Sequence, residues 1–300
     1  MTFPTEMKMD RKAKHNKIAE MIDQAEDILI SGHHDPDGDS LGTMLALRRY
    51  IKSRGKNVTA VRDGNIPYKY SFMPDIDQVR DIRSFDSKDK FDLVILLECS
   101  SPNRAGELSG YFAEDAKVVN IDHHPDNDLY GDVVIQDTVA SSVGEMLYEF
   151  LTDNKYSIDK AMAIQLYTAI LTDTGRFRFS STTKRTMEAA GYLIDLGADP
   201  RDICDKVYYS MKPSSLKLTG QVLSDMDYFE DGRICLMYLT QNKVDESGAG
   251  WDDVEGLADF AMFGENTQVG LISMLDRHIP TDGGMIMPGR VLEEIKKILS

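Results

Sequence analysis

The stretch ILISGHHDPDGDSLG, residues 28–42, joins an apolar run to the start of a helical pattern through a loop rich in histidine and aspartate. Ile28–Ile30 predicts a short buried strand, and from Leu41 onward apolar residues recur at helical spacing. In α/β sheets, the loops at the carboxyl ends of strands are where binding sites lie. The stretch therefore predicts a strand, a site-forming loop and a helix in succession.

The loop concentrates two histidines and three aspartates within residues 33–39. Imidazole and carboxylate donors together suit a divalent transition metal better than either set alone. The alternative is a solvated turn, because aspartate, proline and glycine are common turn residues. A turn alone has no need of two histidines, so we interpret the loop as part of a metal site.

Length and composition indicate a globular protein with a proper core. The 300 residues are 42% hydrophobic and 28% charged, and this length favours two domains of ordinary size. The formal net charge of −16 argues against a surface for long duplex nucleic acid, which needs a basic patch. A short nucleic acid or a nucleotide, held by local arginines and cations, is compatible with that charge.

The three cysteines, Cys99, Cys204 and Cys235, are widely spaced and odd in number. This usage fits a reducing compartment and predicts no disulfide framework. The first residues carry no apolar core of a signal peptide, and no apolar run approaches membrane-spanning length. We therefore expect a cytoplasmic protein with no membrane partner.

Strand, polar cluster and helix alternate along the first two thirds of the chain. Further apolar runs predict strands at Asn57–Arg62, Asp92–Leu97, Lys117–Ile121 and Val133–Gln136. This alternation predicts an α/β fold with a parallel sheet of five or more strands and flanking helices, spanning residues 1–196. Pro102 is expected to open an acidic helix that runs to Asp115.

The rest of the chain predicts a second, smaller α+β domain. Residues 197–215 form the expected linker, and residues 216–300 form this second domain. Apolar runs flank Glu230–Arg233, whose turn residues predict a hairpin. Trp251–Phe263 is expected to be helical, and Val291–Leu299 is expected to form a final amphipathic helix.

Three further polar clusters stand at the ends of predicted elements. Glu98 follows one apolar strand, Asp122–His124 follow the next, and Asp173 lies in the motif LTDTGRFRFSS. Each has a structural alternative: an exposed acid, a structural pair of histidines and a helix-terminal residue, respectively. Four clusters rich in histidine and acid, all at element ends of one predicted sheet, point jointly to a metal site.

The motifs DPDGDS with a preceding histidine, DHH and DTGRF follow one another in a defined order. In this order and spacing the chain resembles the DHH phosphoesterase superfamily, and it is most similar to the NrnA-like oligoribonuclease and phosphoadenosine-phosphate phosphatase subgroup. The resemblance covers about residues 15–190 well and the C-terminal third only loosely. It implies a phosphoesterase that hydrolyses short oligonucleotides, phosphoadenosine phosphate or a dinucleotide, and it implies a homodimer.

The resemblance also implies a pair of divalent cations, usually Mn²⁺, with Mg²⁺ or Co²⁺ as alternatives. Carried over residue by residue, His33 and Asp37 would hold one cation. Asp39, His123 and Asp173 would hold the other. Two such ions can share a water molecule, lower its pKa and clamp a phosphoryl group.

Four further residues receive catalytic roles. By resemblance, His124 would face the scissile phosphate, and Asp122 would orient the ligands around it. Arg104 and Arg176 follow two of the motifs, where guanidinium groups could take phosphate oxygens. The alternative for both arginines is a solvated position on a helix or loop.

Glu98 departs from the family pattern. It stands where the family normally has an aspartate that bridges both ions. The substitution keeps the charge and adds one methylene, so the reach of the carboxylate grows by about 1.5 Å. We expect an altered metal preference or a lower rate, rather than loss of metal binding.

The C-terminal segment departs further. The family carries a glycine-rich GGGH-type loop that grips the substrate, whereas this chain has DGGMIMPGR and lacks the histidine. Gly283 and Gly284 could present backbone N–H groups to phosphate, with Arg290 as a substitute cation. The alternative is a plain turn before the last helix.

Two rival functions follow from the same residues. An inorganic pyrophosphatase or polyphosphatase of the superfamily would be expected to carry several basic residues in its C-terminal domain, where this chain has few before the last helix. A degenerate, non-catalytic nucleotide-binding protein would explain Glu98 and the missing histidine. Retention of every other metal ligand argues against that second rival.

Overall fold

The computed structural model of the protein describes residues 10–86, 89–250, 254 and 256–275. The chain divides into two compact units, Met1–Ser210 and Met211–Ser300. The predicted final helix, Val291–Leu299, lies outside the described residues. Among the helices that are described, none is both long and apolar enough to cross a lipid bilayer.

A six-stranded parallel sheet forms the centre of the first unit. Its strands are β1 (Asp27–Ser31), β2 (Asn57–Arg62), β3 (Val79–Asp81), β4 (Phe91–Leu97), β5 (Phe112–Asp122) and β6 (Val133–Gln136). They lie in the order β3-β2-β1-β4-β5-β6. The predicted α/β fold with a parallel sheet of five or more strands is confirmed.

This strand order places a topological switch point between β1 and β4, because the chain moves outward from β1 to one edge and then returns to build the other side. Ligands of open α/β sheets bind in the crevice outside the carboxyl ends of the strands at such a point. The loop after β1 and the residue after β4 are the first two predicted polar clusters. The topology therefore brings them to the same place.

Helices pack on the sheet and against one another. They are α1 (Arg11–Gln24), α2 (Gly38–Ser53), α3 (Val143–Asp153), α4 (Lys160–Asp173), α5 (Lys184–Asp195) and α6 (Pro200–Tyr208). The main apolar core joins α1 to α6 with one face of the sheet, and Tyr50, Phe150 and Leu166 are fully buried within it. A smaller core around Leu29, Val94 and Leu96 lies on the other face.

The segment between β4 and β5 corrects the sequence-based expectation. Pro102–Tyr111 forms 3₁₀ turns, and β5 begins at Phe112, so no acidic helix reaches Asp115. The 3₁₀ geometry suits short connections but makes poorer hydrogen bonds than an α-helix. Pairing of Phe112 with Phe91 extends the strand into a stretch whose polar sequence did not predict it.

The second unit contains α7 (Pro213–Ser224), β7 (Asp227–Phe229), β8 (Ile234–Thr240), α8 (Gln241–Ser247), α9 (Leu257–Ala261) and β9 (Val269–Leu275). β7 and β8 pair antiparallel around Glu230–Arg233, as the turn residues predicted, and β9 adds a parallel strand to β8. Of the helix expected over Trp251–Phe263, the described residues show only α9. This part is a small mixed sheet with helices.

Candidate metal centre

The predicted metal ligands converge at the carboxyl ends of the sheet strands. Asp39, Glu98, His123 and Asp173 each offer a ligand atom, and these atoms all lie within 4.8 Å of one another. His33, Asp37 and Glu98 form a second such set, and Glu98, His123 and His124 form a third. Glu98 belongs to all three, so its carboxylate lies at the centre of the cluster.

Asp39 is held by two elements at once. It lies in the first turn of α2 and is fully buried. Its carboxylate oxygens accept hydrogen bonds from the backbone N–H groups of Val143 at 2.7 Å and Gly144 at 2.8 Å. These are the first residues of α3, whose amino end favours negative charge. The helix therefore fixes the carboxylate in a buried position.

Glu98 and His123 face each other across the end of the sheet. Glu98 directly follows β4 and is buried, with a left-handed φ of 54°. His123 Nε2 lies 3.4 Å from Glu98 Oε1 and 3.3 Å from Asp173 Oδ2. His123 Nδ1 donates to the carbonyl of Ala140 at 3.3 Å, which leaves the lone pair of Nε2 directed at the carboxylates.

The polar atoms at the centre of this cluster lack partners. His123 Nε2 and Glu98 Oε2 are buried without a hydrogen-bond partner among the residues that the structure describes. A buried polar atom without a partner costs free energy, and native proteins rarely leave one so. A divalent cation would satisfy both atoms, and the mixture of imidazole and carboxylate suits one.

The electrostatics of the cluster also favour a bound divalent cation. Burial, together with the charge of Asp37, raises the pKa of Asp39 to about 7. Burial and the charge of Asp39 raise the pKa of Asp173 to about 9, and the same two causes raise the pKa of Glu98 well above its ordinary value. Crowded carboxylates resist ionisation together, whereas a bound cation reverses this effect. The donor set therefore fits divalent cations.

His33 and Asp37 lie at the start of α2. Asp37 is the N-cap, and its side chain accepts the backbone N–H of Ser40 at 3.0 Å. His33 Nδ1 donates to the carbonyl of His34 at 2.7 Å, so its Nε2 faces Asp37 Oδ1 at 3.7 Å. This separation is too long for a direct hydrogen bond, so His33 Nε2 and the Asp37 carboxylate could bind one ion together.

His124 is oriented by a buried carboxylate. Its Nδ1 donates to Asp122 Oδ1 at 2.8 Å, and this hydrogen bond raises the pKa of His124. Asp122 is fully buried. Although burial favours its neutral form, hydrogen bonds from His124 and Asn127 lower the pKa of Asp122. The pair therefore favours an ionised carboxylate beside a protonated imidazole.

Sequence reasoning missed the polar network behind this pair. Asn127 Nδ2 donates to Asp122 Oδ2 at 2.6 Å and to Asn120 Oδ1 at 2.9 Å. Asn120 Nδ2 in turn donates to the carbonyl of Cys99 at 3.0 Å, which also accepts from the hydroxyl of Tyr130 at 2.8 Å. The network ties β5 to the end of β4. The asparagine that follows DHH by three residues was its only signal in the sequence.

The two predicted arginines lie in different surroundings. Arg104 is exposed, and its positive charge acts on both His33 and His124, opposing their protonation. The guanidinium of Arg176 lies over the ring of Tyr208, 4.7 Å from its centroid. Gly283, Gly284 and Arg290, the predicted substrate-binding residues, lie outside the described residues.

Comparison with known proteins agrees with this geometry. A six-stranded parallel sheet with acid and imidazole groups clustered at its switch point defines an α/β domain with a candidate metal site. Residues 27–170 match the DHH family, N-terminal domain. The unit that carries the site is therefore a DHH-family domain, which confirms the resemblance drawn from the motifs.

Two curated relatives align with a large part of the chain. The chain is 30% identical over 210 residues to the bifunctional oligoribonuclease and PAP phosphatase NrnA of Bacillus subtilis, covering 68% of this chain and 64% of that protein. It is 29% identical over 245 residues to the protein of the same name from Thermus thermophilus, covering 81% and 72%. The chain thus spans a little under two thirds of the Bacillus relative.

Solved structures show the same architecture. An exopolyphosphatase-related protein from Bacteroides fragilis superposes with a TM-score of 0.83 and 26% identity, covering 90% of this chain and 82% of that one. A putative family II inorganic pyrophosphatase from Methanococcus jannaschii superposes with a TM-score of 0.51 and 18% identity, covering 83% of each chain. The second likeness concerns the fold alone.

Proposed function

We propose that the protein is a phosphoesterase that uses two divalent cations, with Mn²⁺ as the preferred ion, to hydrolyse a short oligonucleotide or a nucleotide. The observation that carries this proposal is that two distinct donor sets, one with His33 and one with Asp39, share Glu98 at the switch point of the sheet. A single structural ion would need only one set. Two sets with a common carboxylate are the arrangement expected of a dinuclear hydrolytic site.

Each cation would have its own ligands. His33 and Asp37, with Glu98, would hold one ion. Asp39, His123 and Asp173, again with Glu98, would hold the other. Bound at such a site, divalent cations lower the pKa of a coordinated water and neutralise the charge of a phosphate group.

His124 and Asp122 would move the proton. Asp122 holds His124 through Nδ1, so that the opposite ring nitrogen, Nε2, is free to donate to substrate. The hydrogen bond to Asp122 raises the pKa of His124 and so favours the protonated imidazole. A positioned imidazolium can give its proton to the leaving oxygen as the phosphate ester bond breaks.

Arg104 would bind the phosphate. It is exposed and lies close enough to His33 and His124 for its charge to oppose their protonation. It therefore stands beside both the first donor set and the proposed acid. A guanidinium there can hydrogen-bond two phosphate oxygens at once.

The substrate class follows from the relatives and from charge. The curated relatives are named as oligoribonucleases and PAP phosphatases. The net charge of −16 disfavours long nucleic acid but leaves a short or single nucleotide acceptable. Polyphosphate or pyrophosphate is the second candidate, because the Bacteroides fragilis relative that covers 90% of this chain is described as exopolyphosphatase-related.

A substrate panel tests the proposal. Purified protein would be incubated with Mn²⁺ and, separately, a dinucleotide, a cyclic dinucleotide, 3′-phosphoadenosine 5′-phosphate, pyrophosphate and polyphosphate. We expect metal-dependent release of mononucleotide or phosphate from a nucleotide substrate. Release from pyrophosphate or polyphosphate alone would favour the second candidate. Tight binding without turnover on the whole panel would identify a non-catalytic nucleotide-binding protein.

A further inference from the structure

An exposed aromatic ring packs against the turn that follows the candidate metal ligand Asp173. Phe179 is 47% exposed, although apolar rings of this size are usually buried. Its outer edge covers Gly175, where an added Cβ would meet the ring atom Cζ at 2.5 Å. Gly175 lies two residues from Asp173, and two Cα steps span at most about 7.6 Å. The ring is therefore within one nucleotide's reach of a proposed metal ligand.

The backbone holds this ring outward at a cost. Gly175, Arg176 and Phe177 have consecutive left-handed φ angles of 54°, 65° and 62°. Non-glycine residues such as Arg176 and Phe177 adopt this conformation rarely, and it costs free energy that the surroundings must offset. Such strain collects at functional sites. Phe177 turns inward against Tyr167 and the core, whereas Phe179 is left exposed.

Buried hydrogen bonds fix the turn in this shape. Thr174 is fully buried, and its carbonyl accepts the backbone N–H groups of Arg178 and Phe179, each at 3.0 Å. Its hydroxyl donates to the carbonyl of Ile170 at 2.6 Å and accepts the N–H of Phe177 at 3.0 Å. The position of Phe179 is thus set by the residue next to Asp173, so ring and ligand form one rigid element.

One guanidinium group lies over the ring. The guanidinium carbon of Arg178 lies 6.0 Å from the centroid of Phe179, and Arg176 lies over Tyr208 at 4.7 Å. An arginine over an exposed ring, on a strongly acidic protein, favours a ligand that is both anionic and flat. Inorganic pyrophosphate offers only charge. A nucleotide offers both a phosphate and a base.

We propose that Phe179 is the stacking platform for the nucleobase of the nucleotide whose phosphate lies at the metal centre. This inference rests on the proposed function and names its substrate as a base-bearing phosphate ester. Stacking on an aromatic ring tolerates any base, because every base has a π face. Phe179 is then the residue through which the site favours nucleotides over plain phosphate esters.

Two ligands that differ only in the base test the inference. Binding of adenosine 5′-monophosphate and of ribose 5-phosphate to the Mn²⁺-loaded full chain would be measured by calorimetry. In the wild type we expect the nucleotide to bind more tightly. Phe179→Ala should weaken nucleotide binding about tenfold and leave ribose 5-phosphate unchanged. Phe179→Trp should retain the preference for the nucleotide. Tyr192→Ala, which removes another exposed ring, should leave the affinity for both ligands unchanged.

The outcomes separate this inference from the proposed function. A wild type that binds both ligands equally overturns the inference, and so does Phe179→Ala with an unchanged ratio of the two affinities. An equal loss of affinity for both ligands in Phe179→Ala also overturns the inference, because such a loss indicates a structural role for the ring. Failure of the proposed function would appear instead as a wild type that binds no Mn²⁺ and releases no product from the substrate panel.

Discussion

Glu98 combines a demanding backbone with a central position. It is buried, belongs to every donor set and has a left-handed φ of 54°. Aspartate and asparagine tolerate that region better than glutamate does. An aspartate at this position would therefore relax the backbone but withdraw the carboxylate by one methylene. We therefore expect the spacing of the donor atoms in the cluster to depend on the longer reach of the Glu98 side chain.

Substitution of Glu98 should change metal binding. Glu98→Gln removes the charge shared by both sets, and we expect Mn²⁺ affinity to fall at least about 100-fold, since loss of mere supporting groups already costs 10–100-fold. Glu98→Asp should keep binding but shift metal preference or rate. Calorimetry and turnover measure both effects. Glu114→Gln, an exposed acid on β5, serves as the control. Identical occupancy and rate in Glu98→Asp and wild type would contradict the expectation.

Loss of the Asp122 charge should affect turnover more than metal binding. Asp122→Asn weakens the hold on Nδ1 of His124 and places an amide against the side-chain N–H₂ of Asn127. Because general acid catalysis contributes about 10²–10⁴-fold, kcat should fall by about 100-fold or more. Asp115→Asn, which removes an exposed acid on β5, should change kcat little. A variant with normal kcat would show that the pair does not move the proton.

The residues of the candidate site were predictable from the sequence where side chains, and not backbone groups, form it. His33, Asp37, Asp39, Glu98 and Asp173 stand in local motifs, so the sequence alone selected them. The backbone amides of residues 143 and 144 that bind Asp39 were not predictable, because any sequence supplies N–H groups. The left-handed turn after Asp173 was not predictable from the sequence either, because residues of the types of Arg176 and Phe177 normally avoid that conformation.

At the level of elements, close helix packing positions α3 against Asp39. Gly144 has no side chain, and a Cβ there would meet the Cβ of Ala169 on α4 at 2.6 Å and Asp39 Oδ1 at 3.2 Å. The amino end of α3 can therefore approach α2 and α4 closely. This approach is what directs two backbone N–H groups at one carboxylate.

Gly144→Ala should disturb both packing and the site. Overpacking typically costs about 1–3 kcal/mol of folding free energy, and a displaced α3 would release Asp39. We expect lower stability and weaker Mn²⁺ binding, measured by urea unfolding and calorimetry. Gly191→Ala on α5 is the matched control, because nothing lies within 4 Å of its added Cβ. That control should be neutral or slightly stabilising. Equal behaviour of the two variants would refute the packing argument.

Strands were easier to predict than connections. Buried parallel strands such as β4 are continuous apolar runs, which a sequence shows directly. The stretch Pro102–Tyr111 has no apolar period, and its 3₁₀ turns depend on contacts with distant loops, such as the hydrogen bond from the N–H of His34 to the carbonyl of Arg104 at 2.7 Å. Local propensity could not reveal those contacts.

For the whole molecule, the acidic cluster links stability to pH. A carboxyl group with a raised pKa binds its proton more tightly in the folded state, so it lowers stability as pH rises between its unfolded and folded pKa values. For Asp173 these are 3.8 and about 9. Metal-free protein should therefore be less stable to urea at pH 9 than at pH 6, and saturating Mn²⁺ should reverse the loss.

Asp173→Asn provides the matched comparison for this prediction. The variant lacks the titrating group, so its metal-free form should lose less stability between pH 6 and pH 9 than wild type does. Unfolding midpoints in urea at the two pH values give the difference directly. A wild type whose metal-free stability rises over this interval, or a variant with the same slope, would contradict the electrostatic account.

The central claim is that two cations share Glu98 at the carboxyl ends of β1, β4 and β5. Anomalous diffraction from crystals grown with Mn²⁺ tests it most directly. We predict two anomalous peaks, one contacting His33 and Asp37, the other contacting Asp39, His123 and Asp173, with the Glu98 carboxylate between them. A single peak, or peaks that lie away from Glu98, would contradict the account.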